Sequence, residues 1–271
     1  MELQTLLCTG DPILDIYIDG DGSMRHFNGG ALNIYQNIVA LLLETDLCMK
    51  IEYAYPSDGD FIKGDVFNCY TICRTPLHEE GIALASDDTK EIFYTPCGIP
   101  ELVAEYKPDI LVLGDYNKGV LNTIKWLDDD EFHGAECAIV DSRYRSLDMR
   151  WINKCKLKIW HATDKEYDKE WAKNFDYVYW TAGPKPVVVL KGEKPIATIE
   201  VPSETKIVNT CGSGDTFTAS IAACIFAYKD VSEQALISYA KFAIGVCQDV
   251  VSQPYTSTTK KRINIECTLQ T

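Results

Sequence analysis

Short apolar runs recur along the chain at Leu6–Cys8, Ile110–Leu113, Ala138–Val140, Lys158–Trp160 and Val187–Leu190, separated by segments long enough to form helices. A run of that length buried on both faces is what a central parallel strand looks like in sequence, because helices cover the two sides of such a sheet. The alternation predicts an α/β fold with a mostly parallel sheet, and Ala31–Leu43 is the first predicted helix. In an open sheet of this kind ligands gather at the carboxyl ends of the strands, where Gly114-Asp115 and Asp141-Ser142 fall. With 271 residues, 46% hydrophobic and 24% charged, the chain can bury one large core, and no linker, repeat or low-complexity tract divides it.

The densest local signal is V-N-T-C-G-S-G-D-T-F-T-A-S-I-A at 208–222. Gly212 and Gly214 tolerate backbone angles closed to other residues, so the amides of Gly212, Ser213 and Gly214 are predicted to converge on an anion ahead of a helix. Phe217, Ile221, Ala222, Ile225 and Phe226 follow at helical spacing, which predicts a buried helix with Asp215 in its first turn. A carboxylate beside an anion site is unfavourable unless it has a proton to remove, as a base acting on a sugar hydroxyl does; the alternative role for Asp215 is a simple helix cap. Near the N-terminus, C-T-G-D-P-I-L-D at 8–15 precedes N-G-G-A-L-N-I-Y-Q-N at 28–37. Gly29 and Gly30 permit close backbone approach to a ligand, and Asn33 and Asn37 lie one helical turn apart.

Together these stretches resemble the PfkB/ribokinase family of carbohydrate kinases, whose C-terminal signature is typified by D-T-T-G-A-G-D-T-F. The resemblance implies a ribokinase-like fold, a single kinase domain over 1–271, and a small β lid built from segments at about 13–28 and 80–97. It implies ATP and Mg²⁺ as cofactors and Asp215 as catalytic base, with Gly212, Ser213 and Gly214 as the anion hole. Asp15, Gly29, Gly30 and Asn33 become substrate-binding candidates, while Asn37 supports the turn or packs the helix. Residues 109–121, D-I-L-V-L-G-D-Y-N-K-G-V-L, and 139–145, I-V-D-S-R-Y-R, resemble the heptose-phosphate kinase branch. That resemblance implies D-glycero-D-manno-heptose 7-phosphate as substrate and the 1,7-bisphosphate as product, with Lys118, Arg143 and Arg145 as candidates to hold the substrate phosphate or the nucleotide, since guanidinium groups match phosphate geometry.

On the nucleotide side, K-I-W-H-A-T-D-K-E-Y at 158–167 resembles the family's N-x-x-E segment with Thr163 in place of the asparagine and Glu166 retained as a candidate to organise hydrated Mg²⁺. V-V-L-K-G-E-K-P at 188–195 resembles its T-x-G-x-x-G strand without the second glycine, which makes Lys191, Gly192 and Thr210 candidate nucleotide ligands. Tyr239–Val251 resembles the last helices beside the adenine. Two alternatives stay open: a kinase for another sugar or a nucleoside, and a pseudokinase that binds a sugar or a protein without turnover.

The remaining composition narrows the partners. A net charge of −14 argues against general nucleic-acid binding, whose affinity comes largely from cations on phosphates. Eleven cysteines are scattered, with only Cys69 and Cys73 close together, and the histidines at 26, 78, 133 and 161 are dispersed, so no zinc pattern emerges. Reduced thiols, no leader-like N-terminus and no membrane-length apolar run predict a cytoplasmic protein. The expected partner is a small sugar or sugar phosphate, with no nucleic acid and no membrane; the resemblance adds a possible homodimer through the lid, and the length leaves no room for the nucleotidyltransferase domain fused to some heptose kinases.

Overall fold

The computed structural model describes residues 4–18, 23–43, 45, 49–57, 60–63, 70–74, 85–86, 107–116, 134–142, 147 and 149–264. Strands β1 (Gln4–Gly10), β4 (Met49–Ser57), β8 (Ile110–Asp115), β9 (Cys137–Ser142), β10 (Leu157–Thr163) and β11 (Tyr177–Ala182) form the parallel part of one sheet. Antiparallel strands extend it at both edges: β5 (Asp60–Lys63) on β4, and β12 (Lys185–Lys191) then β13 (Lys194–Ile199) on β11. The strand order is β13-β12-β11-β10-β9-β8-β1-β4-β5. The predicted apolar runs are therefore strands, with one difference in direction: Val187–Leu190 lies in antiparallel β12. The short Gly183-Pro184 connection accounts for this, because a tight turn joins antiparallel neighbours, whereas a parallel partner needs a long crossover.

Successive side chains on each central strand enter opposite halves of the core. Leu6, Cys8, Val112, Ile139 and Ile159 pack with helices α1 (Gly30–Leu42), α4 (Ser213–Tyr228) and α5 (Glu233–Val251). Their neighbours Leu7, Leu111, Leu113, Val140 and Trp160 pack on the other side, with short helices α2 (Met149–Ile152) and α3 (Lys169–Ala172). Every residue of α4 from Asp215 to Ala227 is buried, because this helix lies between the sheet, α1 and α5.

A second sheet has the order β3-β2-β6-β7, from β2 (Pro12–Ile18), β3 (Met24–Gly29), β6 (Tyr70–Arg74) and β7 (Ala85–Ser86). It is the small β lid of the predicted fold. The segment at 13–28 supplies its first two strands, paired antiparallel from Ile13↔Gly29 to Ile18↔Met24. Strand β6, parallel to β2, lies outside the predicted lid segments, and of the segment at 80–97 only β7 falls among the described residues. Because β3 runs directly into α1, the lid sheet and the first helix share one corner, Gly29-Gly30.

Candidate active site

Helix α4 starts where the chain turns through Gly212, whose φ of +78° and ψ of 0° lie in the left-handed region. A Cβ there would come within 2.6 Å of Asn33 Nδ2, so conformation and close approach both require glycine. No side chain caps the helix, and Asp215 occupies its first turn, as the sequence predicts. The partial positive charge of the helix N-terminus therefore faces outward at Gly212–Gly214. One element of the predicted anion hole changes: the Ser213 N–H closes a turn onto the Thr210 carbonyl at 3.2 Å, because the left-handed Gly212 folds the loop back on itself.

Asp215 is 3% exposed, so its carboxylate depends on donors from the protein. Asn33 Nδ2 donates to Oδ2 at 2.9 Å, and the Tyr116 hydroxyl donates to Oδ1. Asn33 is itself held: Asn37 Nδ2 donates to Asn33 O and Oδ1, each at 2.9 Å, while Asn37 Oδ1 accepts from Thr259 N–H at 2.9 Å. Asn37 thus fixes the amide orientation of Asn33. Tyr116 follows β8, and its N–H donates to Asp11 Oδ2 at 2.7 Å. Asp11 straps the neighbouring ends together, since its N–H reaches Gly114 O at 2.9 Å and its O accepts from Ala31 N–H at 3.1 Å.

Asp15, 1% exposed on β2, closes the other side. A Cβ on Gly29 would stand 2.9 Å from Asp15 Oδ2, which places that glycine hard against the carboxylate. Thr256 Oγ1 donates to Asp15 Oδ2 at 2.5 Å, so the Tyr17 hydroxyl, 3.0 Å from Thr256 Oγ1, must donate to it; Asn209 Nδ2 in turn donates to Tyr17 Oη at 2.8 Å. A one-way chain of hydrogen bonds therefore runs from the loop before Gly212 to Asp15. Burial, with the nearby Cys211 sulfur second, pushes the Tyr17 phenol up, which keeps it a donor. Phe27 stacks on Tyr255 at 5.0 Å, tying lid strand β3 to this C-terminal segment.

On the far side of the α4 N-terminus lies a cavity of about 360 Å³, in the range of small-ligand pockets. Gly183 and Pro184 of the β11–β12 turn, Val187 and Phe217 form part of its wall, Ile244 and Gln248 of α5 another, and Thr210, Ser213 and Gly214 its inner end. Burial pushes the Cys247 thiol up to about 12, and it donates to Ser213 O at 3.3 Å. His161, 1% exposed and stacked on Phe217 at 4.9 Å, forms the floor. Thr218 Oγ1 donates to Asp141 Oδ2 at 2.9 Å, leaving its lone pairs for His161 Nδ1–H at 2.9 Å; Nε2 lies 3.0 Å from Thr181 Oγ1.

The structure brings Asp15, Gly29, Gly30, Asn33, Thr210, Gly212, Ser213, Gly214 and Asp215 into one region. It does not bring Lys191 and Gly192 there. Because β12 is antiparallel, its C-terminal turn falls at the sheet edge opposite the carboxyl ends of the parallel strands; Lys191 pairs instead with Glu233 at 3.2 Å. Thr163 lines the cavity, whereas Glu166 Oε2 accepts the Thr163 N–H at 2.9 Å and so caps the turn after β10. Lys118, Arg143 and Arg145 lie outside the described residues. Tyr116, Thr256, Asn209 and His161 were not predicted: Tyr116 sits inside the D-Y-N-K-G stretch, which was a signal, but nothing local marks Thr256 as a partner of Asp15.

The fold that carries this site is ribokinase-like. Among solved structures, the chain is similar to the ribokinase from Giardia lamblia, at 14% identity with TM-score 0.63, covering 96% of this chain and 97% of that one. It is similar to the fructokinase from Vibrio cholerae O395 in its fructose-, ADP- and calcium-bound form, at 13% identity, TM-score 0.62 and 96% coverage of both chains. The nucleoside kinase from Methanocaldococcus jannaschii matches at 12% identity, TM-score 0.58 and 96% coverage of both. No protein-family model and no curated protein matches the chain. Among the described residues, no helix is long and apolar enough to cross a membrane.

Proposed function

We propose that the protein is an ATP-dependent sugar kinase. The observation that carries this reading is the position of Asp215, buried in the first turn of α4 between the Asp15–Asn33 corner and the cavity. A carboxylate so placed can take a proton from an acceptor hydroxyl while the helix N-terminus stabilises charge on the phosphoryl group. The fit to a nucleotide rests on the cavity, which meets that N-terminus at Gly214 and offers apolar walls to a base. When bound there, ATP supplies the phosphoryl group.

Among the described residues no cluster of three His, Cys, Asp or Glu assembles that could hold a metal. We place Mg²⁺ mainly on phosphate oxygens and water, with Glu166 as the candidate outer contact. For the acceptor we propose a sugar phosphate of the heptose 7-phosphate class, supported by the D-Y-N-K-G and D-S-R-Y-R stretches. Ser142 Oγ donates to Asp115 Oδ2 at 2.6 Å, so these two stretches adjoin at the strand ends, and Lys118 and Arg143 follow them in sequence as candidate phosphate ligands. The homodimer through the lid rests on the resemblance, since alternate side chains of β2 and β3 lie outside the described residues.

A second reading, a binding module without turnover, is favoured by one observation: both oxygens of Asp215 already accept hydrogen bonds from the protein. Phosphate transfer from Mg²⁺-ATP to heptose 7-phosphate, D-ribose and D-fructose separates the two. The kinase reading expects transfer to at least one acceptor, reduced about 10²- to 10⁴-fold in Asp215→Asn with ATP affinity retained. Binding of ATP or sugar with no transfer to any acceptor favours the binding module.

A further inference from the structure

The two oxygens of Asp215 are held by elements of different kinds. Oδ2 belongs to Asn33, whose amide orientation Asn37 and Thr259 fix. Oδ1 belongs to the Tyr116 hydroxyl, at the end of a side chain that β8 delivers from outside the two helices. The backbone N–H of Tyr116 is tied to Asp11, and its ring packs on Ile13 of lid strand β2. A hydroxyl that gives its proton to a carboxylate must first come within hydrogen-bonding distance of one of its oxygens, about 2.6–3.2 Å. Asn37 holds the Asn33 amide on Oδ2, and at Oδ1 a phenol O–H already makes the contact that a sugar O–H would make.

We infer that Tyr116 is a positioning residue that occupies the acceptor's place on Asp215, so that the incoming sugar hydroxyl binds by displacing the phenol; this rests on the kinase reading of the site. The ring lies against Ile13, so acceptor binding by this route moves a side chain that touches the lid sheet. Two consequences separate this role from simple packing. Removing the phenol hydroxyl removes a competitor, which raises apparent acceptor affinity just as any depopulated competing state does. It also removes a donor that favours the charged carboxylate, so the base takes up a proton more readily as pH falls.

The test compares wild type with Tyr116→Phe, using Mg²⁺-ATP and the acceptor from heptose 7-phosphate, D-ribose and D-fructose that wild type phosphorylates best. The expected result is an acceptor KM lowered by roughly three- to ten-fold, with the acid limb of kcat/KM displaced to higher pH. ATP affinity, read at the separate cavity, reports that the variant is folded, and Tyr116→Leu repeats the comparison should the phenylalanine variant fail to bind ATP. An acceptor KM that is unchanged or raised, or an acid limb that does not move, overturns the inference while leaving the kinase reading in place. Wild type that binds ATP and transfers phosphate to none of the three overturns the kinase reading, and the inference falls with it.

Discussion

Asn33 Nδ2 and Asp215 Oδ2 lie 2.9 Å apart although 182 residues separate them in the chain. The bond joins the first turns of α1 and α4, which pack side by side with both N-termini at the same end of the sheet. The resemblance gave Asn33 to the sugar; in the structure its amide nitrogen orients the candidate base.

Asn33→Ala leaves a buried carboxylate short of one donor and Asn37 short of its acceptor side chain. Loss of a hydrogen bond to a buried charged group costs about 1–3 kcal/mol, so the urea midpoint should fall accordingly. If the kinase reading holds, phosphate transfer falls by about ten- to a hundred-fold, because Asp215 loses its fixed orientation. Chemical denaturation and steady-state kinetics on one preparation check both.

Gly212→Ala places a methyl group 2.6 Å from Asn33 Nδ2 at a φ of +78°. The left-handed conformation alone costs a non-glycine residue about 1–2 kcal/mol, and the contact adds displacement of the same amide. The expected outcome is a lower melting temperature together with weaker ATP binding, since Gly212 opens the helix whose first residues, Ser213 and Gly214, line the cavity. Calorimetric titration with ATP measures the second effect; unaltered ATP affinity would contradict the proposed anion site.

Alkaline pH should destabilise the protein through its buried thiols. Cys8, Cys137 and Cys224 are at most 3% exposed, and burial is the first cause that raises each above the ordinary thiol value of 9.0, Cys224 to about 12. The unfolded chain loses these protons near pH 9 while the folded chain keeps them. The stabilisation is therefore complete below about pH 9 and is lost as pH rises toward the folded values, by about 1.4 kcal/mol per pH unit for each thiol. Urea midpoints taken from neutral pH to pH 10 should fall only above about 9, and less steeply in Cys224→Ala.

Much of the scaffold was legible because its signals are local. Paired faces of buried residues mark β1, β8, β9 and β10, and the Gly212–Asp215 turn announces α4, since a left-handed glycine and an uninterrupted apolar helix are encoded within a few neighbours. Direction was less legible: residues 187–190 have a buried-strand composition whichever way the strand runs, and the antiparallel turn at Gly183-Pro184 is what removes Lys191 and Gly192 from the ligand side. Strand β6 escaped because its pairing to β2 bridges more than fifty residues.

By itself the sequence determined the alternating α/β scaffold, the glycine turn with Asp215 behind it, and the residue types available to the site, all properties of short windows of chain. Tertiary structure alone decided the partners: that Tyr116 and Asn33 meet on Asp215, that Asn209, Tyr17 and Thr256 relay to Asp15, and that His161 floors the cavity. These contacts join segments tens to hundreds of residues apart, and each depends on the direction and register of whole strands, so no local pattern of amino acids encodes it.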